Sequence, residues 1–395
     1  MTVTADPPRS ARKTLVVCGG AHALHDGFTD LLNVLYPLLQ AQFGLTYAAI
    51  GALKTVYSGA MASGQIPSGW LAGKLGGVWV LAGGTALIAV GYGLAGLTGS
   101  LYGVIAGLLL AGLGGATQHP IASTLVAGAF PGQRSRTALG TYNFTGDVGK
   151  VALPAVFALI AAALGWRQAM LVTAAIAVVG AGLIFLTLQS AEMAAKAKGG
   201  TAIEGQDRPW AFWLLFAIHV ADSAVRSGFL IFLPFLLQAK GADLPTIGLA
   251  LSLLFAGGAA GKLVMGWLGA RLGVVRSVVL TEMATTAMIL ALLPLSLTPA
   301  LALLPLVGVM LNGTSSVLYG TIPEFVKVER RTHAFAVFYT GGSVAGAAAP
   351  FLFGLLGDHI GLQPALVGVG VLALLTVPLV AGLRPAFRST QVPSA

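Results

Sequence analysis

Apolar stretches of roughly 20 residues or more, each long enough to cross a bilayer as a helix, follow one another along almost the whole of this chain with short polar connections between them. In hydrocarbon every backbone N–H and C=O must be satisfied within the protein, which leaves helices or a closed barrel as spanning elements. Runs of this length select helices. Charge leads to the same conclusion, because only 9% of the residues are charged and a soluble domain surface is built from about 25%. The sequence therefore predicts an all-α polytopic membrane protein, with twelve spans near 14–40, 47–72, 78–98, 101–129, 138–164, 168–189, 210–238, 246–270, 277–297, 300–323, 333–357 and 363–383.

The first run, Leu15 to Leu39, follows Arg9, Arg12 and Lys13 as a signal peptide would. It is too long for a signal core, lacks a small-residue cleavage site and carries His22, His25, Asp26 and Asp30, so it reads as a retained span. The single cysteine, Cys18, excludes an internal disulfide and a cysteine-built metal site.

The net charge of +9 reports orientation rather than a nucleic-acid partner. With the N-terminus inside, the cytoplasmic segments hold Arg9, Arg12, Lys13, Lys74, Arg134, Arg136, Lys196, Lys198, Arg208, Arg271, Arg276, Lys327, Arg330, Arg331, Arg384 and Arg388, and the other side holds Arg167 and Lys240. That bias is the positive-inside rule. It predicts a multi-pass protein of the inner (cytoplasmic) membrane with both termini cytoplasmic.

The chain also repeats itself. Gly69-Trp70-Leu71 with Leu75-Gly76 recurs as Gly266-Trp267-Leu268 with Leu272-Gly273, an offset of 197 residues that also relates His22 to His219, Pro37 to Pro234 and Arg134 to Arg331. Phe144-Thr145-Gly146 with Pro154 resembles Tyr339-Thr340-Gly341 with Pro350, at displacements of 195 and 196. Two six-helix halves, residues 1–189 and 210–395, joined by a polar cytoplasmic linker over 190–209, account for this series. The glycine pairs Gly114-Gly115 and Gly257-Gly258 suit close helix packing and carry no nucleotide signature, which argues against an ATP-driven pump.

This pattern resembles the major facilitator superfamily over essentially the whole chain. The family's loop between the second and third spans appears as Gly69-Trp70-Leu71-Ala72-Gly73-Lys74-Leu75-Gly76, with a degenerate copy from Gly266 to Gly273; Gly73 and Ala270 stand where the family has an aspartate. A narrower resemblance, to the fosmidomycin-resistance branch of drug and organic-anion exporters, rests on His22, Asp26, Tyr36-Pro37-Leu38-Leu39-Gln40, Phe43, Leu45-Thr46, Ile50-Gly51, His119-Pro120 and Ser123. The family resemblance implies that the first and seventh helices line a central cavity.

Ionisable residues inside a span are costly and mark function. At helical spacing His22, His25, Asp26, Thr29, Asp30 and Asn33 share one face of the first helix, and the repeat sets His219, Asp222, Ser223, Arg226 and Ser227 on the seventh. Asp26, His22, His25, Asp30 and Asp147 are the expected proton carriers, since carboxylates in a partly dry cavity and histidines exchange protons near neutral pH. The expected substrate contacts are Lys54, Tyr57, His119, Asn143, Lys150, His219, Asp222, Arg226, Lys262, Asn312 and Tyr319. Arg226 and Lys54 suit an anion, Asp147 and Lys150 are spaced for a mutual ion pair, and Pro120 frees a carbonyl in the fourth helix. Lys74, Arg134, Arg271, Glu282 and Arg331 lie at the cytoplasmic ends and are expected to gate.

The expected function is secondary transport of a small polar or anionic organic molecule by alternating access, coupled to protons. The resemblance favours efflux and drug resistance by an antiporter, acting as a monomer with no cofactor. Two alternatives stay open: transport of a divalent metal or its chelate through the histidines and acids, and proton-coupled uptake of an organic anion. An enzyme is not expected, because no nucleophile motif and no soluble catalytic domain are present.

Overall fold

The structure, a computed structural model, describes residues 9–130, 133–188, 207–327 and 330–388. Its helices run in the order α1 (Arg9–Asp30), α2 (Leu32–Phe43), α3 (Tyr47–Leu75), α4 (Gly77–Thr98), α5 (Leu101–Gly115), α6 (Gln118–Ala129), α7 (Gln133–Leu164), α8 (Trp166–Leu188), α9 (Pro209–Ala239), α10 (Leu244–Leu272), α11 (Val274–Leu292), α12 (Leu297–Phe325), α13 (Arg331–Ile360), α14 (Leu362–Gly382) and the short α15 (Arg384–Arg388). Among the described residues ten segments are long and apolar enough to cross a membrane. The two expected spans outside that set are the polar ones, α1 with α2, carrying His22, His25, Asp26 and Asp30, and α3, carrying Lys54, Ser58, Ser63 and Gln65.

Two expected spans are broken, each for a local reason. Between α1 and α2 the side chain of Asn33 donates to the carbonyl of Asp30 at 3.1 Å, and the Val34 amide turns instead to Leu31 O at 2.9 Å. The fourth span breaks at Ala116 and Thr117 into α5 and α6. Pro120 has no amide for the Ala116 carbonyl, which accepts from Ser68 Oγ at 3.3 Å.

The chain divides into two compact units, Met1–Leu35 with Val56–Gly200, and Tyr36–Thr55 with Thr201–Ala395. Of the expected linker over 190–209, the stretch through residue 206 lies outside the described residues. In the first unit α1 packs on α7, and α4 on both α5 and α8; in the second α9 packs on α13, and α11 on both α12 and α14. Each half therefore repeats one set of neighbours.

The second unit also takes in the start of α3. Asp358 on α13 accepts the amides of Tyr47 and Ala48 at 2.7 and 3.0 Å, capping the first turn of α3. The cations Arg167 and Lys240 close helix ends from the opposite direction. Arg167 donates to Gly96 O and Leu97 O at 2.9 and 2.7 Å at the end of α4, and Lys240 to Leu293 O at 2.8 Å beyond α11. Asp243 caps α10 by accepting the Thr246 amide at 2.9 Å. The hydrogen bonds from Thr246 hold its carboxyl below the ordinary carboxylate range.

Small residues set the distance between α1 and α7. A Cβ on Gly149 would lie 1.8 Å from the backbone oxygen of Ala23, and one on Gly146 would lie 2.7 Å from Asp26 Oδ2 and 2.8 Å from His22 Cε1. The glycines of α7 thus bring its backbone against the polar face of α1.

Candidate functional site

In the first unit this approach assembles one cluster. Lys150 Nζ on α7 lies 3.2 Å from Asp26 Oδ2 on α1. His22 Nε2, one turn before Asp26, lies 3.4 Å from the same oxygen, and His119 Nε2 on α6 lies 3.7 Å from Oδ1. His22 Nδ1 donates to the Tyr142 carbonyl at 2.8 Å, because a carbonyl can only accept. That bond fixes the ring and leaves Nε2 to the cluster, while the His22 ring stacks on Tyr142 with centroids 4.2 Å apart. The Lys150 side chain is 29% exposed and that of His119 49%, whereas Asp26 is 13% exposed. The partly buried carboxylate anchors donors whose other faces stay accessible.

The expected pair of Lys150 with Asp147 gives way to this cross-helix pair with Asp26. Asp147 and Asp30 are buried on the same helices and act on Lys150 electrostatically from further away. His25 faces α4: its Nε2 meets Thr85 Oγ1 at 2.9 Å, and Thr85 donates its own proton to Leu81 O. Tyr57 is fully buried and joins α3 to α1 through Thr29 Oγ1 at 2.8 Å. Lys54 is half-buried on α3, and Asn143 is exposed on α7.

The second unit builds a related site. Arg226 Nη2 lies 3.3 Å from Asp222 Oδ2 on the same helix. His219 stacks on Phe338 with centroids 4.1 Å apart, its Nε2 is 3.3 Å from Tyr319 Oη, and Tyr319 stacks on Tyr339. A Cβ on Gly342 would meet His219 Nε2 at 2.3 Å, as one on Gly146 would meet His22. Tyr142 thus matches Phe338, and Gly146 matches Gly342, at the displacement of 196 that Pro154 and Pro350 show in the sequence. Asn312 packs against Gly258 where α10 meets α12, and Lys262 is half-buried on α10.

The expected gating residues divide. Lys74 lies over the Trp70 ring at 3.8 Å and Arg271 over the Trp267 ring at 4.1 Å, so the repeat extends to matching cation–π pairs on exposed tryptophans. Such pairs suit anchoring at a membrane interface. Arg331 donates to Pro323 O at 3.0 Å and Val326 O at 3.3 Å, closing the end of α12. Arg134 is exposed at the start of α7. Glu282 differs from expectation in depth: it is buried on α11, eight residues after the helix starts at Val274, and Asp222 and Arg226 act on it electrostatically. Tyr142 and Phe338 were missed from sequence, though both carried a signal, an aromatic on the fifth helix of each half at nearly the repeat offset.

His22, Asp26 and His119 can bring one ligand atom each within 4.8 Å of one another. The Lys150 ammonium already sits on Asp26, which sets a positive charge beside the place a divalent cation would take.

The sequence profile of the Major Facilitator Superfamily matches residues 19–221 and again 215–394. The chain belongs to the Major Facilitator Superfamily. A probable sulfoacetate transporter of Cupriavidus necator, SauU, is 26% identical over 88% of this chain and 89% of its own length. Among solved structures, a bacterial homologue of the human lysosomal transporter Spinster superposes with a TM-score of 0.80 at 16% identity, covering 99% of this chain and 100% of that one. A POT family transporter in complex with 5-aminolevulinic acid gives 0.78 at 13% identity, covering 96% of each. These two likenesses establish the fold, and the superfamily establishes a membrane transporter of small organic molecules.

Proposed function

We propose that this transporter takes up a small organic anion, such as a sulfonate or carboxylate, together with protons across the cytoplasmic membrane, working as a monomer with both termini inside. The observation that carries the reading is Lys150, held on Asp26 at 3.2 Å yet partly exposed, with His22 and His119 beside it. When Asp26 takes a proton, the ammonium loses its internal partner and its donors turn to a substrate anion. Proton and anion then bind with positive linkage, each raising the affinity for the other. The SauU relative, named for a sulfonated carboxylic acid, supports this substrate class.

The direction follows from charge. A membrane potential negative inside drives anions outward by about 2.3 kcal/mol per charge per 100 mV, so efflux of an anion needs no proton exchange and uptake does. Proton-binding groups beside the anion contacts therefore favour uptake over the efflux that the fosmidomycin-resistance resemblance suggests.

Calorimetric titration of the purified protein tests the substrate class. Sulfoacetate is expected to bind, and to bind more tightly as the pH is lowered. The three-residue set of His22, Asp26 and His119 favours a metal reading, so Zn²⁺ is titrated in parallel. Heat from Zn²⁺ that His22→Ala abolishes, with none from sulfoacetate, would replace the anion with a metal.

A further inference from the structure

The first unit holds a cavity of about 490 Å³ that shares no side chain with the Lys150 cluster. It lies between the end of α3, the first half of α4 and the break between α5 and α6, and its size falls within the ~300–1,000 Å³ of sites for small molecules. Two close approaches fix its walls. A Cβ on Gly64 of α3 would lie 2.7 Å from Ala116 Cβ at the break, and one on Gly84 of α4 would run into the Thr117 side chain. Gly83, one residue earlier, lines the cavity with nothing within 4 Å of an added Cβ. Helix backbones in contact set the walls, and a glycine leaves the room between them.

The lining selects an apolar occupant. No described lining residue is charged, and the two hydroxyls are committed to backbone. Ser68 Oγ donates to Gln65 O at 2.8 Å, with Ala116 O at 3.3 Å, and Thr117 Oγ1 donates to Gly114 O at 3.0 Å. A hydroxyl has one proton, so neither is left for a polar molecule. Trp70, Leu71, Leu75 and Trp79 rim the cavity and are exposed, and exposed tryptophans belong to a membrane interface.

The mouth selects charge. Lys74, one turn after Trp70, holds its ammonium 3.8 Å from the centre of that ring. Among the described residues no carboxylate pairs with it. Ala11 of α1 and Ala138 of α7 pack in one cluster with Ala72 and Val78, which brings the exposed Arg9, Lys13 and Arg134 to the same end of the unit. The described acids of the unit, Asp26, Asp30 and Asp147, lie further along α1 and α7. We propose that this cavity is a phospholipid site, which takes an acyl chain between α3 and α4 and holds an anionic headgroup on Lys74. The Trp70 ring positions the ammonium, whose three N–H donors suit phosphate oxygens.

Native mass spectrometry of the full-length protein in detergent, titrated with dioleoyl phosphatidylglycerol or dioleoyl phosphatidylcholine, tests the site. The wild type is expected to retain one phosphatidylglycerol, preferred over phosphatidylcholine by about fivefold, the attraction of one lysine for an anionic lipid. Gly83→Phe fills the cavity and is expected to lose the retained lipid, while Gly83→Ala keeps it; thermal unfolding of both checks that the helices still pack. Lys74→Gln is expected to bind the two lipids alike. Equal binding in the wild type, or a folded Gly83→Phe that retains phosphatidylglycerol, overturns the site. Should Gly83→Phe fail to fold, Lys74→Gln decides, and an undiminished preference in it overturns the headgroup contact. Displacement of the lipid by sulfoacetate would give the cavity to the transported anion instead.

Discussion

Gly149→Ala is expected to prevent the first unit from folding. The added Cβ would sit 1.8 Å from the Ala23 carbonyl oxygen, and a backbone oxygen has no rotamer by which to withdraw. Either α1 and α7 separate or the helix unwinds locally, which costs more than the ~1–3 kcal/mol of ordinary overpacking. Separation would also take Lys150 away from Asp26, so protein that does fold is expected to bind no substrate. Gly140→Ala, on the same helix with nothing within 4 Å of the new Cβ, is the control and is expected to gain up to about 1 kcal/mol of helix propensity. Thermal unfolding and size exclusion of the detergent-purified variants measure both. A Gly149→Ala protein with the wild-type midpoint would contradict the packing described for these helices.

Lys150→Met is expected to weaken sulfoacetate binding by roughly 10- to 100-fold, the effect of losing about 1.5–3 kcal/mol for a hydrogen bond to a charged group. The same substitution leaves Asp26 without its ammonium and lowers stability. The double substitution Lys150→Met with Asp26→Asn removes both charges, so it is expected to recover stability without recovering binding. This separates the two roles of the lysine, because a purely structural Lys150 would regain binding along with stability. Titration calorimetry and thermal unfolding of the two variants supply the comparison. Wild-type affinity in Lys150→Met would exclude it from the anion site.

The architecture was legible because apolar length and the 197-residue repeat are one-dimensional signals. Faces of helices were legible for the same reason: His22 and Asp26 meet α7, and Thr29 meets α3. Partners were not. The spacing of Asp147 and Lys150 suggests a pair, but glycines 146 and 149 bring α1 close enough for Asp26 to take the lysine instead. Periodicity fixes which residues share a face and says nothing of how two faces meet. His25 shows the limit within one helix, since a rotation of one residue step carries it from the cluster to Thr85 on α4.

Glu282 was misjudged through a boundary. The ninth span was expected to start at 277, and α11 starts at Val274, which sets Glu282 about 12 Å along the helix at 1.5 Å per residue. The charges that act on it, Asp222 and Arg226, come from α9, and no spacing along the chain brings that helix to it. Each unit pairs one partly exposed cation with a less exposed acid, Lys150 with Asp26 and Arg226 with Asp222.

Proton-coupled uptake of an organic anion is tested most directly by sulfoacetate flux into proteoliposomes, with the membrane potential held at zero and a pH gradient imposed. The expected result is transient accumulation above the external concentration when the outside is acidic, and simple equilibration when the gradient is collapsed. Accumulation driven by an acidic lumen, or uptake indifferent to the gradient, would contradict the account.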